Sequence, residues 1–142
     1  MTGVNKIVHT CVWVSDIEVT KKFYIEGLGL HHTWGFTGGD GVMNFYISGD
    51  GGAEIQFKYR PEDTSNLATP QSRNESGMDH LAMSVDDVEE IVQGMVEKTK
   101  CKIVVDIFQN DETGVKAAFI EDPDGHVVEL IQYLDHGTNS KV

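Results

Sequence analysis

The first pattern in the chain is an alternation of apolar and polar residues, and it is clearest in the stretch DHLAMSV at residues 79–85. Side chains of a strand point to opposite faces in turn, so Leu81 and Met83 share one face while His80 lies on the other. A helical pattern follows directly, and the apolar face is where that helix is expected to pack. We therefore predict that His80 faces away from the helix.

The same pattern occurs a second time in the first half of the chain. A shift of 71 residues places HTCVWVSDIE (9–18) over HLAMSVDDVE (80–89). In each half a histidine opens a strand, and a capping residue followed three positions later by a glutamate begins a helix. The predicted caps are Ser15 with Glu18 and Asp86 with Glu89, the helices run to about Glu26 and about Thr99, and the residues on their buried faces are Ile17, Phe23, Tyr24, Val88, Ile91, Val92 and Met95.

Short β segments follow each predicted helix, separated by turn residues rich in glycine and aspartate. They are VMNFYIS, AEIQFKY, CKIVVDIF, VKAAFIE and HVVELIQY, and the clearest hairpin is FIEDPDGHVVELIQY. The closing segment of the first half, GDGGAEIQFKY, is aligned with this hairpin so that Glu54 pairs with Glu129. The pattern predicts an α+β fold in which two βαβββ modules form a cupped mixed sheet.

The chain has the length and composition of one globular domain, with 142 residues of which 39% are hydrophobic. We expect a single domain over residues 1–142. Module 1 covers about 4–59, a polar linker about 60–78, module 2 about 79–134, and a C-terminal tail 135–142.

Charge and hydropathy narrow the classes of partner and compartment. The formal net charge of −12 would repel a phosphate backbone, so nucleic acid is not expected as a partner. The longest apolar runs are far shorter than the roughly 20 residues of a membrane helix, and the N-terminus lacks a secretory signal pattern. We therefore expect a cytoplasmic protein without a membrane partner, in which Cys11 and Cys101 are reduced thiols.

Two histidines and two glutamates share the strand faces that point away from the helices. They are His9, Glu54, His80 and Glu129. A single histidine on a strand is more often a hydrogen-bonded structural residue than a ligand, but His and Glu placed twice by the repeat favour a shared cation site. Without a cysteine ligand the set does not resemble a closed zinc site, and it leaves coordination positions open for chemistry. Ni(II), Co(II), Zn(II), Mn(II) and Fe(II) all suit these donors.

These features resemble a known family. The paired modules with HTCVWVSDIEVTKKFYIEGLGL, AEIQF, DHLAMSV and FIEDPDGHVVELIQY are similar to the vicinal oxygen chelate superfamily, most closely to the short bacterial-type glyoxalase I enzymes. The resemblance implies a His and a Glu ligand from each module, here His9, Glu54, His80 and Glu129. The glutamate of module 1 is informative, because epimerases of the family often have glutamine there and its iron dioxygenases use two histidines and one carboxylate.

The resemblance also implies a reaction and an assembly. Glyoxalase I isomerises the hemithioacetal of methylglyoxal and a small thiol, and a divalent metal stabilises the negative charge of the enediolate. Glu129 would be the catalytic base and Glu54 the second candidate. We expect one divalent metal per chain, with nickel or cobalt favoured and zinc possible. We also expect a homodimer whose interface sites take His9 and Glu54 from one chain and His80 and Glu129 from the other.

Two positions depart from the glutathione-binding members of the family. These carry Arg four residues after the first His and Asn four residues after the first Glu, where this chain has Trp13 and Lys58. Two interpretations are open: both residues bind the substrate, or Trp13 is an ordinary packing residue and Lys58 an ordinary surface residue. The alternatives for function are another metalloenzyme of the family (an epimerase, a thiol transferase acting on an antibiotic, or a dioxygenase), a drug-binding protein, and a structural domain.

Overall fold

The computed structural model describes residues 3–61 and 78–134. The chain divides into two compact units, Met1–Ala68 and Thr69–Val142, which we call module 1 and module 2. Most of the predicted linker (62–77) and the predicted tail (135–142) lie outside the described residues.

Module 1 is a four-stranded mixed sheet with one helical segment. Strand β1 (His9–Trp13) is followed by helix α1 (Ile17–Lys21), a π-helix (Lys22–Gly27) that continues α1, and strands β2 (His31–Thr37), β3 (Met43–Gly49) and β4 (Gly51–Tyr59). The strand order is β1-β4-β3-β2, with β1 parallel to β4 and the other neighbours antiparallel.

Module 2 repeats this arrangement. Its elements are β5 (Leu81–Ser84), α2 (Val88–Thr99), β6 (Ile103–Asn110), β7 (Val115–Glu121) and β8 (Val127–Tyr133). The strand order β5-β8-β7-β6, again with only the first pair parallel, is that of module 1. The predicted α+β fold with two βαβββ modules is confirmed.

Both helices begin one residue later than the sequence predicts. The N-caps are Asp16 and Asp87, not Ser15 and Asp86. The Asp16 carboxylate accepts hydrogen bonds from the backbone N–H groups of Glu18 and Val19 at 2.9 and 3.2 Å. Asp87 accepts one from the backbone N–H of Glu90 at 3.1 Å. Each predicted cap is followed directly by an aspartate, and the aspartate has the extended backbone that an N-cap requires.

The apolar face of each sheet packs on its helix, as predicted. In module 1 the rings of Phe23 and Tyr24 lie 4.9 Å apart, and Tyr24 lies 4.9 Å from Phe57 of β4. All three side chains are buried. In module 2, α2 contacts β7 and β8 through its buried residues, which are Val88, Val92 and Met95, while Ile91 is only half-buried. The side chains on the opposite faces of the sheets are therefore left for other roles.

One strand has no predicted counterpart, and the strongest predicted hairpin is confirmed. Residues His31–Thr37 form β2, an outer strand whose residues are all exposed. Strands β7 and β8 form the hairpin around Asp-Pro-Asp-Gly, where Gly125 takes a φ of 86° that favours glycine. Within the described residues, no helix is long and apolar enough to cross a membrane.

Candidate metal centre

In module 2 the predicted histidine and glutamate are in contact. His80 lies directly before β5, and Glu129 lies on β8 opposite Ala82. Because β5 and β8 are parallel neighbours, residues 80, 82 and 129 share one face of the sheet. Glu129 reaches along the strand so that its Oε2 atom lies 3.1 Å from His80 Nε2. The structure therefore brings these two residues together.

The other ring nitrogen of His80 has its own partner. Asp79 Oδ2 lies 2.6 Å from His80 Nδ1, and the imidazole is perpendicular to the Phe119 ring, with the ring centres 5.2 Å apart. A carboxylate beside Nδ1 favours a proton on that nitrogen, so Nε2 is the ring nitrogen that would bind a metal. Asp79 was not singled out by the sequence, although its position next to His80 is a visible signal.

In module 1 the histidine and the predicted glutamate are direct neighbours across the sheet. His9 of β1 is the register partner of Glu54 on β4. Glu54 accepts a hydrogen bond from the Thr33 hydroxyl, and the His9 and Tyr46 rings are perpendicular, with their centres 5.7 Å apart. The two predicted ligands of this module thus lie on one face, but in a different register from those of module 2.

The strand register gives Glu129 a different counterpart from the one that the sequence alignment predicts. Glu129 lies opposite Phe119 on β7 and Ala82 on β5, while Gln56 lies opposite Tyr46 on β3 and Cys11 on β1. Cys11 follows His9 by two residues as Ala82 follows His80, so the position equivalent to Glu129 is Gln56. The predicted pairing of Glu54 with Glu129 as repeat equivalents is wrong by two residues.

Burial shows why the register is shifted in this way. Phe57 and Leu130, which both point to the helix side, are fully buried, and the observed register places them at equivalent positions. The predicted alignment would instead pair Phe57 with Gln132. The apolar pattern of EIQFKY against VELIQY was therefore the signal that could have identified Gln56 from the sequence.

Trp13 and Lys58 lie together on the same face as the candidate ligands. They are register partners, and Lys58 Nζ lies 5.3 Å from the centre of the Trp13 ring. Arg60 approaches the same ring at 5.9 Å, and in the described part of the chain its buried Nε atom has no hydrogen-bond partner. If Gln56 replaces Glu54 in the family pattern, the position four residues later is Arg60 and not Lys58.

An aromatic stack continues this face toward the outer strand of module 1. Trp34 is the register partner of Tyr46, with ring centres 4.3 Å apart, and Phe36 lies 5.4 Å from Trp34. Trp34 is 48% exposed and Phe36 46% exposed. Both belong to β2, the strand without a predicted counterpart. They form an apolar wall two strands away from Gln56, on the far side of β3.

Three further side chains of this chemistry, Cys11, His126 and His32, are less suited to hold a metal ion. Burial raises the pKa of the Cys11 thiol above its ordinary value, against the opposing effect of Lys58, so the thiol is protonated at neutral pH. The imidazole of His126 contacts Asp122 at 2.9 Å, and that hydrogen bond raises the pKa of His126. His32 stacks on Phe45 at 4.4 Å.

The donors of the two pairs suit a divalent cation. Ligands bound at about 2.1 Å and adjacent in an octahedral shell lie about 3 Å apart, which matches the 3.1 Å between His80 Nε2 and Glu129 Oε2. Imidazole nitrogen and carboxylate or amide oxygen are also the ligand types that such metals accept. Among residues 3–61 and 78–134, no three side chains of His, Cys, Asp or Glu are grouped closely enough to hold a metal ion.

Comparison with known proteins identifies the class to which this arrangement belongs. The profile of the Glyoxalase/Bleomycin resistance protein/Dioxygenase superfamily matches residues 6–130. The chain belongs to this superfamily.

Individual relatives are similar over most of their length. The chain is 27% identical over 128 residues to a probable lactoylglutathione lyase of Synechocystis sp., covering 89% of this chain and 94% of the relative. It is 25% identical over 138 residues to the lactoylglutathione lyase of Haemophilus influenzae, covering 89% and 92%. The crystal structure of a glyoxalase family protein from Enterococcus faecalis has a TM-score of 0.70 at 25% identity, covering 89% and 97%.

Proposed function

We propose that the protein is a metal-dependent lyase of the glyoxalase I type, which isomerises the hemithioacetal of methylglyoxal and a small thiol to an S-lactoyl thioester. The observation that carries this proposal is the contact of His80 Nε2 with Glu129 Oε2, with Asp79 on the opposite ring nitrogen. The similarity to two lactoylglutathione lyases supports the same reaction.

The proposed ligand set is His9, Gln56, His80 and Glu129. The strand register supports Gln56, because it occupies in module 1 the position of Glu129 in module 2. Glu54, the ligand predicted from the sequence, lies on the same face beside His9 and remains the alternative fourth ligand. The cation would be nickel or cobalt, with zinc as a further candidate, at one per chain.

The roles of the residues follow from their chemistry. A bound divalent cation would supply electrostatic stabilisation of negative charge on two neighbouring substrate oxygens. Glu129 would remove the proton from C1 of the hemithioacetal and return it to C2, and Gln56 could not do this because an amide does not take up a proton at neutral pH. Glu54, held by the Thr33 hydroxyl, would be a second carboxylate for the opposite substrate stereoisomer.

The thiol portion of the substrate would contact the other end of the same face. Trp13 offers a flat apolar wall, and Lys58 and Arg60 bring positive charge to that ring. Since Trp13 stands where glutathione-binding relatives have arginine, we expect weak use of glutathione and better use of a shorter or less charged thiol. A guanidinium can bind a carboxylate through two hydrogen bonds, whereas an ammonium group binds it at a single point. Arg60 would therefore hold an anionic substrate group more strongly than Lys58.

We further propose a homodimer with two shared sites, each taking the module 1 ligands from one chain and the module 2 ligands from its partner. His9→Ala and Glu129→Gln chains, each inactive alone, would then form a heterodimer in which one site has all its ligands. Co-refolding the two variants should restore part of the activity. No recovery would place each site within a single chain.

A second candidate function is an epimerase acting at a carbon next to a carbonyl. It is favoured by Gln56, since epimerases of the family often have glutamine at this ligand position. Both reactions need removal of a proton from a carbon next to a carbonyl, and Glu54 and Glu129 would be the two carboxylates that serve opposite faces of that carbon.

Metal analysis and paired assays test these proposals. Protein purified without chelators should contain about one divalent ion per chain, and EDTA should abolish an activity that Ni(II) or Co(II) restores. Thioester formation from methylglyoxal with different thiols measures the lyase, and exchange of the α-proton of a branched acyl thioester in D₂O measures the epimerase. Full metal content in His80→Ala would contradict the site, and a metal-loaded protein without either activity would contradict both functions.

A further inference from the structure

The side-chain amide of Gln56 is held by a second buried amide. Gln56 Nε2 donates a hydrogen bond to Asn44 Oδ1 at 2.8 Å, and Asn44 Nδ2 donates to the Val42 carbonyl at 3.1 Å. Gln56 is 8% exposed and Asn44 7% exposed. The chain of bonds runs within one sheet face, because the partner of Asn44 on β4 is Lys58, two residues from Gln56.

The backbone carbonyl at the end of this chain fixes the orientation of both amides. A carbonyl can only accept, so Asn44 must turn its nitrogen to Val42 and its oxygen to Gln56. Gln56 must then offer its nitrogen. Reversing either amide would place two acceptors or two donors against each other at buried positions, which costs the desolvation of an unsatisfied polar group.

We infer that Asn44 is a positioning residue, which leaves the carbonyl oxygen of Gln56 as the end of the amide that can serve as a ligand. Divalent cations bind amide oxygen, and the amide nitrogen has no free electron pair to offer. This inference rests on the proposed function, since it needs Gln56 as a ligand.

Module 2 supplies the internal comparison. Asn44 precedes Tyr46 by two residues, and the equivalent residue before Phe119 is Ala117, which is buried and has no polar side chain. The proposed ligand at the equivalent position of module 2 is the carboxylate of Glu129. Its two oxygens are equivalent, so it needs no partner to select one end. An orienting amide occurs in the module whose candidate ligand has two unlike ends.

The test measures the affinity for Co(II) and the visible absorption spectrum of the bound ion. Asn44→Ala, which copies Ala117, should weaken Co(II) binding by about tenfold in a calorimetric titration and change the visible absorption of the bound Co(II). Asn44→Asp should weaken Co(II) binding less than Asn44→Ala does, because a carboxylate oxygen can still accept a hydrogen bond from Gln56 Nε2. Ser48→Ala, a change at another buried polar residue of β3, is the matched control and should have no effect.

A double variant separates positioning from general damage to the fold. Gln56→Leu should weaken Co(II) binding, and adding Asn44→Ala should weaken it no further, because the amide to be oriented is gone. If Asn44→Ala does not fold, Asn44→Leu restores the lost volume and carries the same expectation.

The two single variants separate a failure of the positioning role of Asn44 from a failure of Gln56 as a ligand. If Gln56→Leu weakens binding while folded Asn44→Ala binds Co(II) with unchanged affinity and spectrum, the positioning role is wrong and the proposed ligand set stands. If Gln56→Leu binds Co(II) as tightly as the wild type, the assignment of Gln56 as a ligand fails, and the inference about Asn44 fails with it.

Discussion

Asp79→Ala tests the metal centre through a residue that would not touch the metal. Asp79 holds the Nδ1 proton of His80 at 2.6 Å, a short charge-assisted hydrogen bond. Without it the imidazole can change tautomer and rotate, and Nε2 is less often available as a ligand. Partners of this kind contribute about 10- to 100-fold to metal affinity.

The exposure of the pair sets the expected size of the effect. The side chains of His80 and Asp79 are 31% and 41% exposed, so solvent screens their interaction and the lower end of the range applies. Asp79→Ala should therefore weaken Ni(II) binding by about tenfold, which is about 1.4 kcal/mol. Asp79→Asn, which can still accept from Nδ1, should lose about half of that free energy, or about threefold in affinity.

Calorimetric titration of metal-free protein with Ni(II) measures both variants. Asp111→Asn removes an equal charge from the exposed turn after β6 and serves as the control for a general charge effect. Wild-type affinity in Asp79→Ala would show that Asp79 does not orient His80 for metal binding. If Asp111→Asn weakens Ni(II) binding by the same factor, the effect comes from the net charge and not from the contact with His80.

Three other changes test the base, the thiol site and a pH-dependent contact. Glu129→Gln should lower kcat by at least about a hundredfold and weaken metal binding less than His80→Ala does; steady-state rates and metal titration check this, and an unchanged kcat would remove Glu129 as the base. Trp13→Arg should shift the ranking of kcat/KM values toward the glutathione adduct, measured beside cysteine and coenzyme A adducts; an unchanged ranking would make Trp13 a packing residue. The hydrogen bond to Asp122 raises the pKa of His126, so the stability it contributes is complete below the unfolded pKa and is lost as the pH rises through the folded pKa. His126→Gln should therefore lower Tm more at about pH 5.5 than at about pH 8.5, and equal losses in thermal scans would contradict this.

The fold could be predicted wherever a local pattern determines it. The apolar face of α2 and the alternation on both sides of the Asp-Pro-Asp-Gly turn are local, and both predictions are confirmed. Strand β2 could not be found in this way, because its residues are exposed and the apolar alternation in HHTWGFT is limited to Trp34 and Phe36. The predicted helix starts were one residue too early, because two residues that can form an N-cap are adjacent in each module. Only the backbone conformation distinguishes them.

The candidate site shows the limit of the same reasoning. Side-chain parity correctly placed His9, Glu54, His80 and Glu129 on the faces away from the helices, since alternation is a property of each strand alone. The match between Gln56 and Glu129 depends on how β4 pairs with β1 and how β8 pairs with β5. Because pairing between strands is not local, an alignment of the two halves that slips by two residues keeps the parity and changes the ligand.

The difference between Gln56 and Glu129 also determines the electric charge of the proposed centre. Two neutral imidazoles, one amide and one carboxylate around a divalent cation leave a net charge of +1, whereas a second carboxylate in place of the amide would leave zero. A positive centre attracts an anionic substrate oxygen more strongly and holds the cation itself less tightly. The two modules thus have the same strand order, while an amide at one proposed ligand position would weaken metal retention and strengthen the attraction of negative charge.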